Sequence, residues 1–369
     1  MERSKMQVFH HPSCLVHDPP HEILSGQPVP YKESPDRLVL VRDALAADSA
    51  QYDLKQVPDF DAMKYVSLVH SSEYIDYLET AYERWVSEGG DAAGVLPECF
   101  PHPKLPPRLL DPNQMSAIAR AGFYCFDLSS PITADTYTAV LASAKVAIHS
   151  AKELATLAQT ATDAPRPPGI FAITRPPGHH AAAELSGGYC YLNNVAIAAR
   201  TLQHIHPRSG PGSAKIAILD IDYHHGNGTQ SIFYDDPSVL YVSLHAQGDY
   251  PYFTGSAAET GVGEGLGKNV NIPLPMNGTG DEEYLVALDG GVEVVKSFEP
   301  DYILVSLGVD TYQDDPICTF GLTTPVYERI GGRIAQLGLP TLFLFEGGYY
   351  LPALAANVKG VLDGFQRPL

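Results

Sequence analysis

Apolar residues along this chain fall into short dense runs separated by longer amphipathic stretches. The runs 7–9 (QVF), 170–174 (IFAIT), 215–221 (KIAILDI), 239–244 (VLYVSL), 302–307 (YILVSL) and 341–345 (TLFLF) read as strands. They are rich in β-branched and aromatic residues and too short for buried helices. The stretches 137–160, 190–204, 282–297, 326–337 and 352–365 carry apolar residues at helical spacing. Strand–helix alternation of this kind implies an α/β fold, an open and mostly parallel sheet with helices on both faces. In such sheets ligands bind beyond the C-terminal ends of the strands. No internal repeat interrupts the alternation, so residues 1–369 are expected to form a single domain. The segment 86–113 breaks it, being rich in Pro and Gly with little periodicity. An insertion this long in a compact domain is expected to act as a lid or an oligomer contact, the alternative being a plain surface loop.

Composition narrows the function class. Lys and Arg number 24 against 43 Asp and Glu, a formal net charge of −19. That excess argues against nucleic acid and against an anionic membrane as partners. It suits a cationic small molecule, although acidity also serves solubility alone. The five cysteines (14, 99, 125, 190 and 318) are scattered, with no CxxC pair. They form neither a disulfide framework nor a thiolate zinc site, and they fit a reducing, cytoplasmic compartment. No apolar signal segment follows Met1 and no run is long enough to span a membrane.

The chemistry gathers where the strands end. Directly after KIAIL comes DIDYHHGNGTQ (220–230). If the backbone stays extended, Asp220, Asp222 and His224 face the same way. Two carboxylates and an imidazole at the end of a buried strand call for a compensating charge, and a metal ion supplies it. Other strands deliver further ionisable groups: His179 and His180 after 170–174, His245 after 239–244, Asp310 after 302–307, and Glu346, Tyr349 and Tyr350 after 341–345. His225 follows His224. Any one of these has a structural explanation as a cap or turn former; together they describe a site. Asp222, His224 and Asp310 suffice to hold one divalent ion and leave positions open for water and substrate. The His179–His180 pair offers a general base and a general acid. Tyr349, after two glycines, can donate to a developing oxyanion. These are the parts of an amide or ester hydrolase that needs no Ser, Cys or Lys nucleophile.

The segments RPPGHHA (175–181), GGYCYLNN (187–194), DIDYHHGNGTQ (220–230), VSLHA (242–246), SLGVDTYQDDP (306–316) and EGGYY (346–350) occur in that order. With them the chain resembles the histone-deacetylase-like amidohydrolases of the arginase/deacetylase superfamily. The stretch through VPYKESPDR and the 86–113 insertion bring it nearest to the bacterial acetylpolyamine amidohydrolases. The resemblance implies one catalytic Zn2+, with Fe2+ also compatible, on Asp222, His224 and Asp310. It makes His180 the general base and His179 the electrostatic partner or general acid. Asp220 and Asn227 would orient the two histidines, Asn227 standing where some relatives carry Asp. Tyr349 would bind the scissile carbonyl. A structural K+ would lie on backbone carbonyls of Asp220, Asp222 and His224, with Ser243 and Leu244 nearby. Gly188, Tyr189 and Phe253 would line a narrow tunnel for substrate.

The reaction implied is hydrolysis of an N-acetyl amide to acetate and a free amine. By the same resemblance the chain is expected to form a homodimer in which the insertion narrows the tunnel mouth. Small cationic acetylated amines would enter, with Glu22 and Glu98 as candidate carboxylates for the distal ammonium. Deacetylation of acetyl-lysine in proteins or peptides uses the same machinery and is the alternative. A degenerate binding protein is disfavoured because every part of the machinery is present. A two-metal arginase-like centre is disfavoured by the tandem histidines and the EGGY tyrosine.

Overall fold

In the computed structural model, residues 5–102, 104, 111–160, 167–206 and 214–367 are described. The strands are β1 (Met6–His10), β2 (Glu22–Leu24), β3 (Gln27–Val29), β4 (Tyr52–Gln56), β5 (Gly169–Ala172), β6 (Ile216–Asp220), β7 (Val239–Ala246), β8 (Asn269–Leu274), β9 (Tyr302–Leu307) and β10 (Thr341–Phe345). Eight of them form one sheet in the order β4-β1-β5-β10-β9-β6-β7-β8, with β2 and β3 apart as a hairpin. Every neighbouring pair in the large sheet is parallel. β6, β7, β9 and β10 are buried along their whole length, which is why they read as unbroken apolar runs.

The helices are α1 (Asp36–Ala47), α2 (Met63–Val66), α3 (Ser72–Ser87), α4 (Ala117–Phe123), α5 (Thr136–Thr160), α6 (Asn194–Ile205), α7 (Asn227–Phe233), α8 (Asp281–Phe298), α9 (Thr324–Ala335) and α10 (Leu351–Gln366). α8, α9, α10 and α1 pack side by side across one face of the sheet, and α5, α6 and α7 cover the other. α5 is Ala-rich on its buried side, so it lies close against the strands. α8 carries Asp281, Glu282 and Glu283 in its first turn and Lys296 in its last, matching the helix dipole at both ends.

All the expected strands and helices exist, with shifted ends. β6 stops at Asp220 rather than 221, and α6 starts at Asn194 rather than 190. The side chain of Asn193 accepts from Ala196 N and caps α6, so GYCY belongs to the preceding loop. Four strands were not expected: β4 and β8 in the large sheet, and β2 and β3 of the hairpin. β8 (NVNIPL) hides its pattern behind two asparagines and a proline. The 86–113 insertion is anchored within the described residues. Trp85 Nε1 donates to Asp91 O (2.9 Å), Val95 pairs with Ile132, and a Cβ on Gly122 of α4 would sit 1.7 Å from Cys99 O. Residues 103 and 105–110 of the insertion lie outside the described residues. Among the described residues no helix is long and apolar enough to cross a membrane.

Candidate active site

Five neighbouring strands, β5, β10, β9, β6 and β7, end at one edge of the sheet, and the expected site residues follow them. The extended-backbone expectation for 220–224 holds only to Asp220, because the chain bends from residue 222. The convergence comes from tertiary placement instead. His224 Nδ1 is 3.3 Å from Asp222 Oδ1 and 3.0 Å from Asp310 Oδ2. Backbone N–H groups hold both carboxylates: Gly347 N and His224 N donate to Asp222 (2.8 and 2.9 Å), and Tyr223 N to Asp310 (2.8 Å). Glycine is needed beside them. A Cβ on Gly347 would lie 2.3 Å from Asp310 Oδ2 and 2.6 Å from Asp222 Oδ2, and one on Gly308 would lie 2.0 Å from Asp222 Oδ2. Three anionic or basic donors crowded this closely, fully or nearly buried, match a divalent-cation site in both charge and donor type.

The charge pattern shows the strain of that crowding. Burial raises Asp310, and the neighbouring Asp222 adds to it, pushing its carboxyl up to about 7. Asp222 moves the other way: burial opposes its charge, but His179 and His224 outweigh it and hold the carboxyl below the usual range. His224 is likewise disfavoured as a cation by burial, yet its bonds to Asp222 and Asp310 push it up to about 10.

The two histidines after β5 sit on a turn fixed by β10. Glu346 Oε2 accepts from Gly178 N (2.7 Å) and His179 N (3.2 Å), and Thr174 Oγ1 donates to Phe345 O (2.8 Å). His179 Nδ1 donates to Asp220 Oδ2 (3.0 Å), which also accepts from Tyr241 OH (2.9 Å). His180 Nδ1 donates to Asn227 Oδ1 (2.8 Å). The ring centroids are 4.0 Å apart, but the environments differ. Burial works against a charge on His179, yet Asp222 and Asp220 overcome it and push its pKa up to about 10. Burial, with the neighbouring cations His179 and His224, holds His180 well below its ordinary value. One ring is therefore a cation and its neighbour a neutral base.

Tyr349 is 9% exposed. Its N–H donates to Asp315 Oδ2 (2.7 Å), and the Arg37 guanidinium lies 4.8 Å from its ring centre. Arg37 also donates to Gly348 O (2.7 Å) and to Glu346 O. Tyr189 packs 5.5 Å from Tyr349 and 5.4 Å from Tyr31. It is held at φ 65°, in the left-handed region that side chains other than Gly seldom adopt. A Cβ on Gly188 would meet His180 Cδ2 at 2.3 Å, so the wall closes on the base at this point.

Two expected wall and mouth residues sit elsewhere. Phe253 is 92% exposed; the ring that closes on the histidines is Tyr250, 4.9 Å from His180 and 5.8 Å from His224. The Tyr250 hydroxyl donates to Asp127 Oδ2 (2.8 Å), which also accepts from Gly188 N (2.9 Å). Three residues apart in YPYF, the two aromatics are indistinguishable in sequence; the turn after β7 selects one. Glu22 is fully buried rather than at a mouth. Its Oε1 accepts from Lys32 N (2.9 Å), and burial pushes its carboxyl up to about 7. Glu98 is exposed on the insertion. His225 and His245 turn away from the centre, His225 onto Thr254 (2.9 Å) and Gln230 (3.1 Å), His245 onto Ser243 (2.9 Å) and Gly255 O (2.9 Å).

Residues 31–365 match the histone deacetylase domain. The chain belongs to the histone deacetylase family. That domain is one of metal-dependent deacetylases, in accord with the cluster of Asp222, His224 and Asp310. Two similar relatives are acetylpolyamine amidohydrolases 2 and 1 of Pseudomonas aeruginosa. They are 39% identical over 95% of this chain and 96% of the relative, and 40% identical over 94% of each. The crystal structure of acetylpolyamine aminohydrolase from Burkholderia pseudomallei superposes with a TM-score of 0.87 at 33% identity, covering 99% of both chains. The family's fold, an α/β sheet with helices around it, is the one described above.

Proposed function

We propose that this chain is a zinc-dependent amidohydrolase that removes acetyl groups from small cationic amines of the acetylpolyamine class. The observation that carries the chemistry is the approach of Asp222 Oδ1 and Asp310 Oδ2 to His224 Nδ1, at 3.3 and 3.0 Å, beside one neutral and one cationic histidine. The substrate class is supported by full-length similarity to proteins named for it and by the net charge of −19.

Asp222, His224 and Asp310 hold the catalytic ion, Zn2+ or Fe2+. When bound, the ion lowers the pKa of water and polarises a carbonyl. His180 takes a proton from the attacking water at Nε2, since Nδ1 is committed to Asn227. Asp220 keeps His179 in place and charged. His179 is then the electrostatic partner of the reacting carbonyl and the candidate acid for the leaving nitrogen. The Tyr349 hydroxyl donates to the carbonyl oxygen as negative charge develops there. The C–N bond breaks, and acetate and the amine leave. Gly188, Tyr189 and Tyr250 form the wall beside the acyl group, with the exposed Phe253 further out at the rim. Glu98 is the candidate for the distal ammonium, and Glu22, beside the Tyr189 phenol, acts only through that tyrosine. A structural K+ is assigned to the carbonyls of Asp220, Asp222 and His224 with Ser243 and Leu244. The β6–β7 register, which sets Asp220 opposite Ser243, supports it. The single catalytic domain is assigned a homodimer, with the 86–113 insertion as the contact that narrows the mouth, in a cytoplasmic setting.

The test is turnover by zinc-loaded protein on N-acetylputrescine, N-acetylcadaverine and acetylspermidine beside an acetyl-lysine peptide. Higher kcat/KM on the free amines is expected; preference for the peptide would replace this reading with protein deacetylation. His180→Ala is expected to abolish turnover while the protein keeps its zinc.

A further inference from the structure

The walls on either side of His180 are both fastened to one short segment, residues 125–127 (CFD), which the chemistry above does not use. On the first wall, residues 187–190 fold back on themselves: Gly187 N donates to Cys190 O (3.0 Å) and Cys190 N to Gly187 O (2.9 Å). The two central residues, Gly188 (φ 55°) and Tyr189 (φ 65°), are both left-handed, as a tight primed turn requires. The second wall is the Tyr250 ring. Residues 125–127 reach both. Cys125 pairs with Ser186. The Phe126 ring lies over Gly187, where an added Cβ would sit 2.3 Å from it, and it stacks 6.3 Å from Tyr250. Asp127 Oδ2 accepts from Gly188 N (2.9 Å) on one wall and from the Tyr250 hydroxyl (2.8 Å) on the other. Ser129 N and Oγ donate to the same carboxylate, so its partners come from the protein. A Cβ on Gly188 would meet His180 Cδ2 at 2.3 Å and the Tyr250 hydroxyl oxygen at 2.9 Å, which leaves no slack between turn, base and phenol. Phenylalanine at position 250 would line the same wall; only the hydroxyl lets a carboxylate hold it, and such charge-assisted bonds are strong ones. With Tyr250 N also donating to Asp249 Oδ1 (2.8 Å), the ring is pinned at both ends.

We infer that Asp127 is a positioning residue that fixes the width of the tunnel beside His180, and so makes the enzyme selective for acetyl over longer acyl groups. The inference rests on the reading of Gly188 and Tyr250 as the wall beside the acyl group. Asp127 acts through those two residues and not on the reacting atoms. A rigid apolar pocket discriminates against one extra methylene by roughly 10–200-fold. A ring free to swing outward makes room for the longer chain and loses that discrimination.

The experiment measures kcat and KM of the zinc-loaded full-length protein on N-acetylputrescine and N-butyrylputrescine, and on the acetyl and butyryl amides of uncharged butylamine. In Tyr250→Phe, the conservative variant, the acetyl-to-butyryl ratio of kcat/KM is expected to fall on the order of 10-fold, alike for charged and uncharged amines. Asp127→Ala should lower the ratio at least as far, and adding Tyr250→Phe to it should change nothing more, because the bond is already gone. An unchanged ratio in Tyr250→Phe overturns the inference. So does an equal loss over both acyl groups, which is what a merely structural role gives. A loss in Asp127→Ala confined to the charged amines overturns it too, since Asp127 would then bind the ammonium directly. The substrate reading fails separately. The same ratios are read on acetyl-lysine and butyryl-lysine peptides; preference for the peptides replaces the amine substrate class, while a ratio that falls there in Tyr250→Phe still supports the role of Asp127.

Discussion

His179 and His180 are adjacent, chemically identical and equally buried, and they differ in what each Nδ1 meets. A carboxylate faces His179 and an amide oxygen faces His180. The amide adds no charge, so burial and the neighbouring His179 cation hold the His180 pKa well below its ordinary value, and the base stays available at low pH. The acid limb of kcat/KM, which requires neutral His180, should accordingly lie at low pH. Asn227→Asp places a carboxylate opposite that nitrogen. It favours the imidazolium, raises the His180 pKa and moves the limb to higher pH; a pH–rate profile with an unmoved limb would contradict the assignment. A second residue-scale consequence concerns Gly347. The methyl of Gly347→Ala would collide with Asp222 and Asp310, so zinc affinity should fall roughly 10–100-fold, measured by chelator competition.

Elements reach the site through one buried charge cluster. Arg37 at the start of α1 and Arg175 after β5 share Glu33 Oε1 at 2.7 and 2.9 Å. Their remaining N–H groups go to carbonyls of Cys14, His17 and Glu33, and of Glu346 and Gly348 after β10. The cluster therefore ties the N-terminal segment, α1 and the exits of β5 and β10 into one frame behind Tyr349. Removing Arg37 leaves Glu33 paired with Arg175 but strands the buried carbonyls of Glu346 and Gly348, at about 1–3 kcal/mol for each unsatisfied group. Arg37→Met should lose stability of that order in denaturant unfolding and lower kcat more than it raises KM, because the Tyr349 turn loses its anchor. An unchanged kcat in the folded variant would show that the turn holds its shape without α1.

At the scale of the whole molecule, the excess of 43 acidic over 24 basic residues sets a long-range field. A substrate with a free ammonium group is drawn along it, and salt screens the attraction over about 8–10 Å at physiological strength. kcat/KM for N-acetylputrescine should fall as ionic strength rises, while that for an uncharged acetylated alkylamine of equal length should stay flat. Equal salt dependence of both substrates would mean that the net charge serves solubility alone.

The sequence by itself determined the elements of the sheet core and the ionisable groups beyond five strand ends. Dense apolar runs and residue order are local properties, and a parallel sheet brings its strand ends together whichever way the loops run. It did not determine directions within those loops. That Asp222 and His224 converge despite the bend after β6, that Tyr250 rather than Phe253 closes on the histidines, and that Glu22 is buried all depend on distant backbone groups: Gly347 N on Asp222, Asp127 on the Tyr250 hydroxyl, Lys32 N on Glu22. The buried Arg37–Glu33–Arg175 cluster was equally hidden, because Glu33 and Arg175, 142 positions apart, carry no local sign that they will pair. Local pattern decides which segments are strands and helices; charge compensation between remote segments decides where the side chains at their ends point.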